Sequence, residues 1–309
     1  MKPSLDAIYE GNHIKRLQKP NFPIDVILDT DTYNEIDDQF ALAYLIKSAD
    51  KLNLKAIYAA PFLNQKSTSA EDGMEKSHEE ILRILSLMER NDLKQVVYKG
   101  SATFLPSENE PVQSDAASHL AQLAMGYSIE NPLYVIAIGA ITNVASALLL
   151  SPEIKDRIVV VWLGGHAHDW HDTHEFNMQQ DVAAARIIFG CGVPLVQLPC
   201  MGVVSAFAIS GPELEFWLRN KNPLCDYLVD VTTRDAIADG GLPTWTRAIW
   251  DVTAIGWLTG DFTLDRFEHS PIPEYSHRYS FCKTRHMMRY VYHIKRDALV
   301  QDLFNKLMS

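Results

Sequence analysis

Only four cysteines, Cys191, Cys200, Cys225 and Cys282, occur in 309 residues, and no two of them form a CxxC pair. Thiols so widely spaced exclude a disulfide framework and fit reduced side chains in a cytoplasmic protein. No apolar run reaches the length of a membrane span, and Met1 to Pro20 are polar and mixed in charge, without the apolar centre of a secretory signal. Positive charge is in deficit too: 28 Lys and Arg face 39 Asp and Glu, for a formal net charge of −11 and a pI near 5.4. That balance argues against a nucleic-acid backbone or an anionic membrane as partner. Internal repeats and low-complexity segments are also missing. What remains is an ordinary globular composition, 47% hydrophobic and 22% charged, with enough apolar material for a large core.

The acidic residues are not evenly spread. In Val26-Ile27-Leu28-Asp29-Thr30-Asp31-Thr32-Tyr33-Asn34-Glu35-Ile36-Asp37-Asp38, four aspartates and a glutamate follow an apolar run that reads as a short buried strand. Phe40 to Ile46 then read as a buried helix with Asp37 and Asp38 in its first turn, where acidic side chains suit the helix dipole. A strand ending in Asp29 and Asp31, followed by a helix beginning with Asp37 and Asp38, gathers carboxylates at the C-terminal edge of a sheet, where open α/β folds place ligands. Crowded carboxylates repel unless a cation joins them, and hard oxygen donors favour Ca²⁺ or Mg²⁺. Helix capping accounts for Asp37 or Asp38. It leaves Asp29 and Asp31 unexplained.

Further along, apolar runs at Leu54–Ala59, Gln95–Tyr98, Leu133–Ile138, Ile158–Leu163, Pro194–Leu198 and Tyr290–Ile294 read as strands. Helical spacing covers 75–88, the apolar run from Asn143 to near Pro152, 181–189, most of 211–258 with a Gly-Gly-Leu-Pro break at 240–243, and 297–308. Residues 100–115 read as a long polar loop. The alternation of strands and helices predicts α/β: one domain, 22–309, with a mostly parallel central sheet flanked by helices in a Rossmann-like open arrangement. Residues 1–21 read as a surface extension.

Three more segments carry chemistry. Ala137-Ile138-Gly139-Ala140-Ile141-Thr142-Asn143 is a strand end turning through glycine into a helix. Gly164 to Asn177 hold four histidines in nine residues, ending in Glu175-Phe176-Asn177; with no histidine or thiol pair elsewhere to complete a zinc site, this reads as a polar active-site loop. Trp250-Asp251 puts a carboxylate at the head of an apolar helical run. A phosphatase-type DxDx(T/V) reading of Asp29-Thr30-Asp31 competes, but its fifth position is Tyr33.

In order and spacing the four segments resemble the nucleoside hydrolase family of the inosine–uridine-preferring type, with its DxDPGxDD, GxLTN, EFN and (H/W)D signatures. The resemblance implies Ca²⁺-dependent hydrolysis of the N-glycosidic bond of a nucleoside to ribose and free base. It further implies Ca²⁺ held by Asp31, Asp38, Asp251 and the Ile138 carbonyl; ribose gripped by Asp37, Asn177 and Asp251, with Glu175 toward the 5′-hydroxyl; Asp29 in support; Asp31 as general base; and a homodimer or homotetramer. Trp250, where some members carry a leaving-group histidine, resembles the purine-preferring branch, in which the ring stacks on the departing base. Two departures stand out. Thr32-Tyr33-Asn34-Glu35 replace Pro-Gly and lengthen the acidic loop by two residues, which could bring Glu35 to the metal. No asparagine turn is recognisable around 59–64. A non-catalytic nucleoside or ribose binder, or a hydrolase of another ribosyl compound, would carry the same sugar-binding residues.

Overall fold

The computed structural model describes residues 5–238 and 240–309, the first six of these by backbone alone. The first half of the chain runs α1 (Leu5–Arg16), β1 (Ile24–Thr30), α2 (Asp37–Ile46), β2 (Leu52–Ala59), α3 (Ala70–Leu87), β3 (Val97–Lys99), α4 (Asp115–Ala124), β4 (Leu133–Ala137) and α5 (Thr142–Leu150). It continues through β5 (Ile158–Leu163), α6 (Phe176–Gln180), α7 (Val182–Gly190), β6 (Leu195–Leu198), β7 (Ala208–Ser210), α8 (Gly211–Leu218), α9 (Pro223–Ala238) and β8 (Thr246–Ala248). Then follow α10 (Val252–Thr259), β9 (Thr263–His269), β10 (Ile272–Pro273), β11 (Tyr279–Ser280), β12 (Met287–Ile294) and α11 (Arg296–Met308).

Eight strands make one sheet in the order β3-β2-β1-β4-β5-β6-β12-β9, parallel throughout except for the last pair. The pleat explains why its strands read as unbroken apolar runs. Val26 and Leu28 face one core and Ile27 the other; Ile136 and Val135 do the same in β4, and Val161 and Val160 in β5. Both faces are covered, so both sets of alternating side chains must be apolar. One layer contains α2, whose ten residues are all buried, with α10 and α11 against it. The other is built on α4, α5 and α7.

The winding direction reverses between β1 and β4, so connections leave these neighbours in opposite directions and open a crevice at their C-terminal ends. The mostly parallel open sheet expected from the sequence is present. Several details differ. The segment 211–258 contains a strand between its helices, β8, which pairs antiparallel with β7 just before the segment, and 263–269 form an antiparallel edge strand. The expected surface extension contains a helix: His13, Arg16 and Leu17 are buried, His13 Nε2 lies 2.7 Å from the Met287 carbonyl, and Arg16 Nη1 donates to the Lys155 carbonyl at 3.2 Å. Residues 1–4 lie outside the described residues.

Candidate active site

The crevice is a cleft of about 200 Å³ lined by eight of the residues singled out above: Asp31, Asp37, Asp38, Ile138, Glu175, Asn177, Trp250 and Asp251. They arrive from four connections at one edge of the sheet. Asp31 follows β1, Asp37 and Asp38 open α2, Ile138 follows β4, Glu175 and Asn177 bracket the start of α6, and Asp251 opens α10.

The floor is acidic and dry. Asp31, Asp37, Asp38 and Asp251 are each at most 3% exposed. One carboxylate oxygen from each of Asp37, Asp38 and Asp251 lies within 4.8 Å of the others, and the Asp251 backbone N–H donates to Asp37 Oδ2 at 3.2 Å. Asp31 lines the same cleft just outside that triad. Thr30 Oγ1 donates to Asp38 Oδ1 and lies 2.8 Å from Thr32 Oγ1, fixing the carboxyl's rotamer. Burial pushes all four acids up; repulsion from the others in the set adds to it for Asp31, Asp37 and Asp251, and from Glu35 for Asp38, and Asp37 and Asp38 rise to about 7. Asp29, beneath them, is also raised to about 7 by burial, although Asn143 Nδ2 donates to its Oδ1 at 2.8 Å. Asn143 is itself held through its Oδ1 by the Ser101 N–H and hydroxyl, both at 2.8 Å. The Thr142-Asn143 turn thus locks the base of the site from behind its lining residues.

This donor set fits a divalent cation. Four buried carboxylates with no cationic side chain among the lining residues are stable only if protons or a metal offset their charge. Asp31 Oδ2 is buried with no hydrogen-bond partner among the described residues, an acceptor left over for something other than the protein. Gly139 makes room for it: a Cβ there would stand 3.1 Å from Asp31 Oδ1 and 3.0 Å from Ala60 Cβ. The Ile138 carbonyl faces the same space and accepts from Asn177 Nδ2 at 3.1 Å, which leaves one lone pair.

Asn177 Nδ2 also donates to the Leu163 carbonyl at 3.0 Å, bridging the ends of β4 and β5. Glu175 caps α6: Oε1 accepts from the Asn177 N–H, and Oε2 from the Gly165 and Met178 N–H groups, at 2.8–2.9 Å. Gly165 meets that carboxylate in a left-handed conformation, φ 74°, where a side chain would strike the Tyr279 hydroxyl. Burial raises Glu175 and these three N–H groups oppose it.

The lengthened acidic loop is tied down from outside. Asn34 Oδ1 accepts from Asn64 Nδ2 at 2.6 Å and its carbonyl from Lys66 Nζ at 2.7 Å, so an asparagine does reach the loop from beyond β2, through Asn34. Glu35 stands at the rim, pushed up by partial desolvation and then by Asp37 and Asp235. It lies outside the tight carboxylate triad.

The rest of the lining is largely apolar and aromatic: Leu163, Phe176, Met201 and half-buried Trp250, with Cys200, His166 and His174. The four histidines of the 166–174 loop divide. His166 and His174 line the cleft. His168 packs on Tyr290 and lies 3.0 Å from Gln197 Oε1, and His171 is exposed beside Asp172. Among the described residues, the carboxylate triad Asp37, Asp38 and Asp251, and none of these histidines, forms a group of three metal-ligand side chains. Cys200 and Met201 were not singled out from sequence; their signal was position, directly after β6 at the carboxyl edge.

Comparison with known proteins agrees with this geometry. The sequence profile described as "Inosine-uridine preferring nucleoside hydrolase" matches residues 26–288. A pyrimidine-specific ribonucleoside hydrolase, RihA of Salmonella enteritidis, is 26% identical over 230 residues, 67% of this chain and 70% of that protein. Among solved structures, the purine-preferring ribonucleoside hydrolase from Gardnerella vaginalis superposes with TM-score 0.71 at 19% identity, covering 92% of this chain and 98% of that one. The type III effector XopQ, solved with adenosine diphosphate ribose, superposes with TM-score 0.69 at 16% identity over 100% and 99%. The profile spans the acidic loop, the Thr142-Asn143 turn, the Glu175-Phe176-Asn177 triplet and Trp250-Asp251, and the chain belongs to the inosine–uridine-preferring nucleoside hydrolase family.

Proposed function

We propose that the protein hydrolyses the N-glycosidic bond of ribonucleosides in a Ca²⁺-dependent reaction, with purine nucleosides preferred. One observation carries the reading: carboxylates from positions 31, 37, 38 and 251 converge on one cleft that Asn177, Phe176 and Trp250 also line. Asp31, Asp38, Asp251 and the Ile138 carbonyl would hold the cation. When bound, it acidifies water at the site and anchors sugar hydroxyls.

The chain's own groups do the rest. Asp37, Asn177 and Asp251 grip the 2′- and 3′-hydroxyls, which fixes the sugar for attack at its anomeric carbon. Glu175 reaches the 5′-hydroxyl with the lone pairs its three backbone donors leave over. Asp31, with its unpartnered Oδ2, takes the proton of the attacking water. Trp250 stacks on the base. Positive charge developing on the ring is stabilised by the acidic floor, as in other glycoside cleavages with oxocarbenium-like transition states. A purine preference rests on Trp250 alone, since the relatives divide between pyrimidine-specific and purine-preferring.

The test is a panel of purine and pyrimidine nucleosides incubated with and without a chelator, reading free ribose. Release that stops with chelator and returns with Ca²⁺ supports the reading. Binding of nucleoside without release of base would favour a non-catalytic binder. The structural likeness to a protein solved with adenosine diphosphate ribose makes a larger ribosyl compound the second reading, and adding such compounds to the panel separates the two.

A further inference from the structure

The carboxylates and Asn177 account for the sugar, yet they leave the departing base without an assigned polar partner. Trp250 offers it a π face. A base leaving as an anion also needs a hydrogen-bond donor, because negative charge accumulates on its ring nitrogens and oxygens as the bond breaks. Beyond the sugar-gripping groups, the side-chain N–H donors lining the cleft are Asn34, His166, His174 and the Trp250 indole N–H. Asn34 belongs to the acidic loop, where its Oδ1 is bound by Asn64 Nδ2 at 2.6 Å. His174 is exposed at the rim, its ring stacked on His277 with centroids 4.0 Å apart. His166 is different. It is 8% exposed, and both ring nitrogens are oriented by the protein.

We propose that His166 is the group that addresses the departing base, as a neutral imidazole whose Nε2–H donates to a hydrogen-bond acceptor on the base. This rests on the N-ribohydrolase reading above. The Met201 backbone N–H donates to His166 Nδ1 at 3.3 Å, so Nδ1 is an acceptor and, by assignment from that bond, the ring hydrogen sits on Nε2. Nε2 lies 4.0 Å from Asp172 Oδ1, close enough to polarise the N–H and too far to consume it as a direct hydrogen bond. Trp170 packs edge-on at 6.0 Å and limits ring rotation. Asp172 is committed elsewhere, accepting from the His174 N–H at 3.0 Å and pairing with His171 at 3.0 Å. The charged and titratable neighbours of His166 are therefore Asp172, His171 and His174. Burial holds His166 below the usual histidine range, with Asp172 opposing and the two histidines reinforcing it. A ring kept neutral can donate at neutral pH without first gaining a proton.

The loop that carries His166 runs from Gly165, whose left-handed conformation and N–H bond to Glu175 fix where the loop leaves β5, and His166 lines the cleft. That residue gives the 164–174 loop the base-recognition role that the carboxylates cannot fill.

The experiment compares nucleosides with 4-nitrophenyl β-D-ribofuranoside, whose leaving group is stable as an anion and needs no donor. Inosine, uridine and the nitrophenyl riboside are assayed in wild type, His166→Leu and His166→Gln, with pH profiles of kcat/KM. His166→Leu is expected to lose about 10²- to 10³-fold on the nucleosides, the usual consequence of removing one aligned donor, while retaining the nitrophenyl activity that also reports an intact site. His166→Gln, which keeps an N–H, is expected to recover much of the loss and to leave the acid limb of the profile in place. Equal losses on all three substrates, no loss on nucleosides, or disappearance of the acid limb in His166→Gln would overturn the proposal while leaving the hydrolase reading intact. Wild type unable to cleave any of the three would overturn that reading, and this inference with it.

Discussion

The two sides of the cleft are built on different principles. The acidic floor comes from strand ends and helix starts: Asp31 after β1, Asp37 and Asp38 in the first turn of α2, Asp251 at the head of α10. Parallel-sheet register and two buried helices fix where those groups can be. The remaining wall comes from the loop after β5 and the Pro199-Cys200-Met201 turn after β6, together with Trp250. Its side chains are placed by individual hydrogen bonds, such as the Met201 N–H to His166 Nδ1. In the proposed reaction the floor would serve what every ribonucleoside shares, the sugar, whereas the wall would meet what differs, the base. Chemistry common to the substrates is therefore carried by regular structure and selection among them by loops.

Mutations on the two sides should then behave differently, and the largest effect belongs to the floor. Asp31→Asn keeps the shape of the side chain and removes its basicity, so kcat should fall by about 10²- to 10⁴-fold for every nucleoside alike, with sugar binding largely retained. Steady-state kinetics on one purine and one pyrimidine nucleoside check this. A substrate-dependent loss would break the division between floor and wall.

Cation binding should follow in size. The folded-state affinities of Asp29, Asp37 and Asp38 for protons lie above those of the unfolded chain, at about 7. Their protonation therefore stabilises the fold below the ordinary carboxylate range, and that contribution is lost as pH rises through 7. A divalent cation replaces those protons. Differential scanning calorimetry of metal-stripped protein should show the Ca²⁺-induced rise in Tm larger at pH 8 than at pH 5. At a hundredfold excess over Kd the stabilisation should be about 2.7 kcal/mol.

A glycine under the floor gives a smaller effect. Gly139→Ala would place a methyl group 3.1 Å from Asp31 Oδ1. Overpacking of that kind costs about 1–3 kcal/mol, and chemical denaturation should show it as a loss of stability together with weaker cation binding. The smallest effect belongs to the wall. Trp250→Ala removes a stacking surface worth about 0.5–1.5 kcal/mol beyond area burial. Purine kcat/KM should fall more than pyrimidine kcat/KM; equal losses would deny the ring its selective role.

The same division governed what could be read from the amino-acid order. The carboxylates were legible because a strand ending in Asp29 and Asp31 next to a helix starting at Asp37 and Asp38 has one sensible place in an open α/β sheet. Asp251 was harder. Its link to Asp31 spans most of the chain, and only the resemblance joined them. The sheet was legible too, since strands buried on both faces carry continuous apolar runs. Helix α4 escaped notice even though Ala116, Ala117, Leu120, Ala121 and Ala124 repeat at helical spacing and are buried, because alanine gives a weak hydrophobic signal. The edge strand β9 escaped for the opposite reason: its charged residues fall on both faces, Asp265 on one and Arg266 and Glu268 on the other, so no apolar alternation marks it. Residues 5–17 looked polar, but His13 and Arg16 are buried through hydrogen bonds to carbonyls distant in sequence. Nor could spacing divide the four histidines between cleft, core and surface, because a loop has no periodicity to read.

The most direct measurement is calorimetric titration of metal-stripped protein with Ca²⁺, in wild type and in Asp251→Asn. The account predicts one ion per chain in wild type and binding abolished or strongly weakened in the variant, because carboxylates from both ends of the chain share that ion. Undiminished binding in Asp251→Asn, or none in wild type, would contradict it.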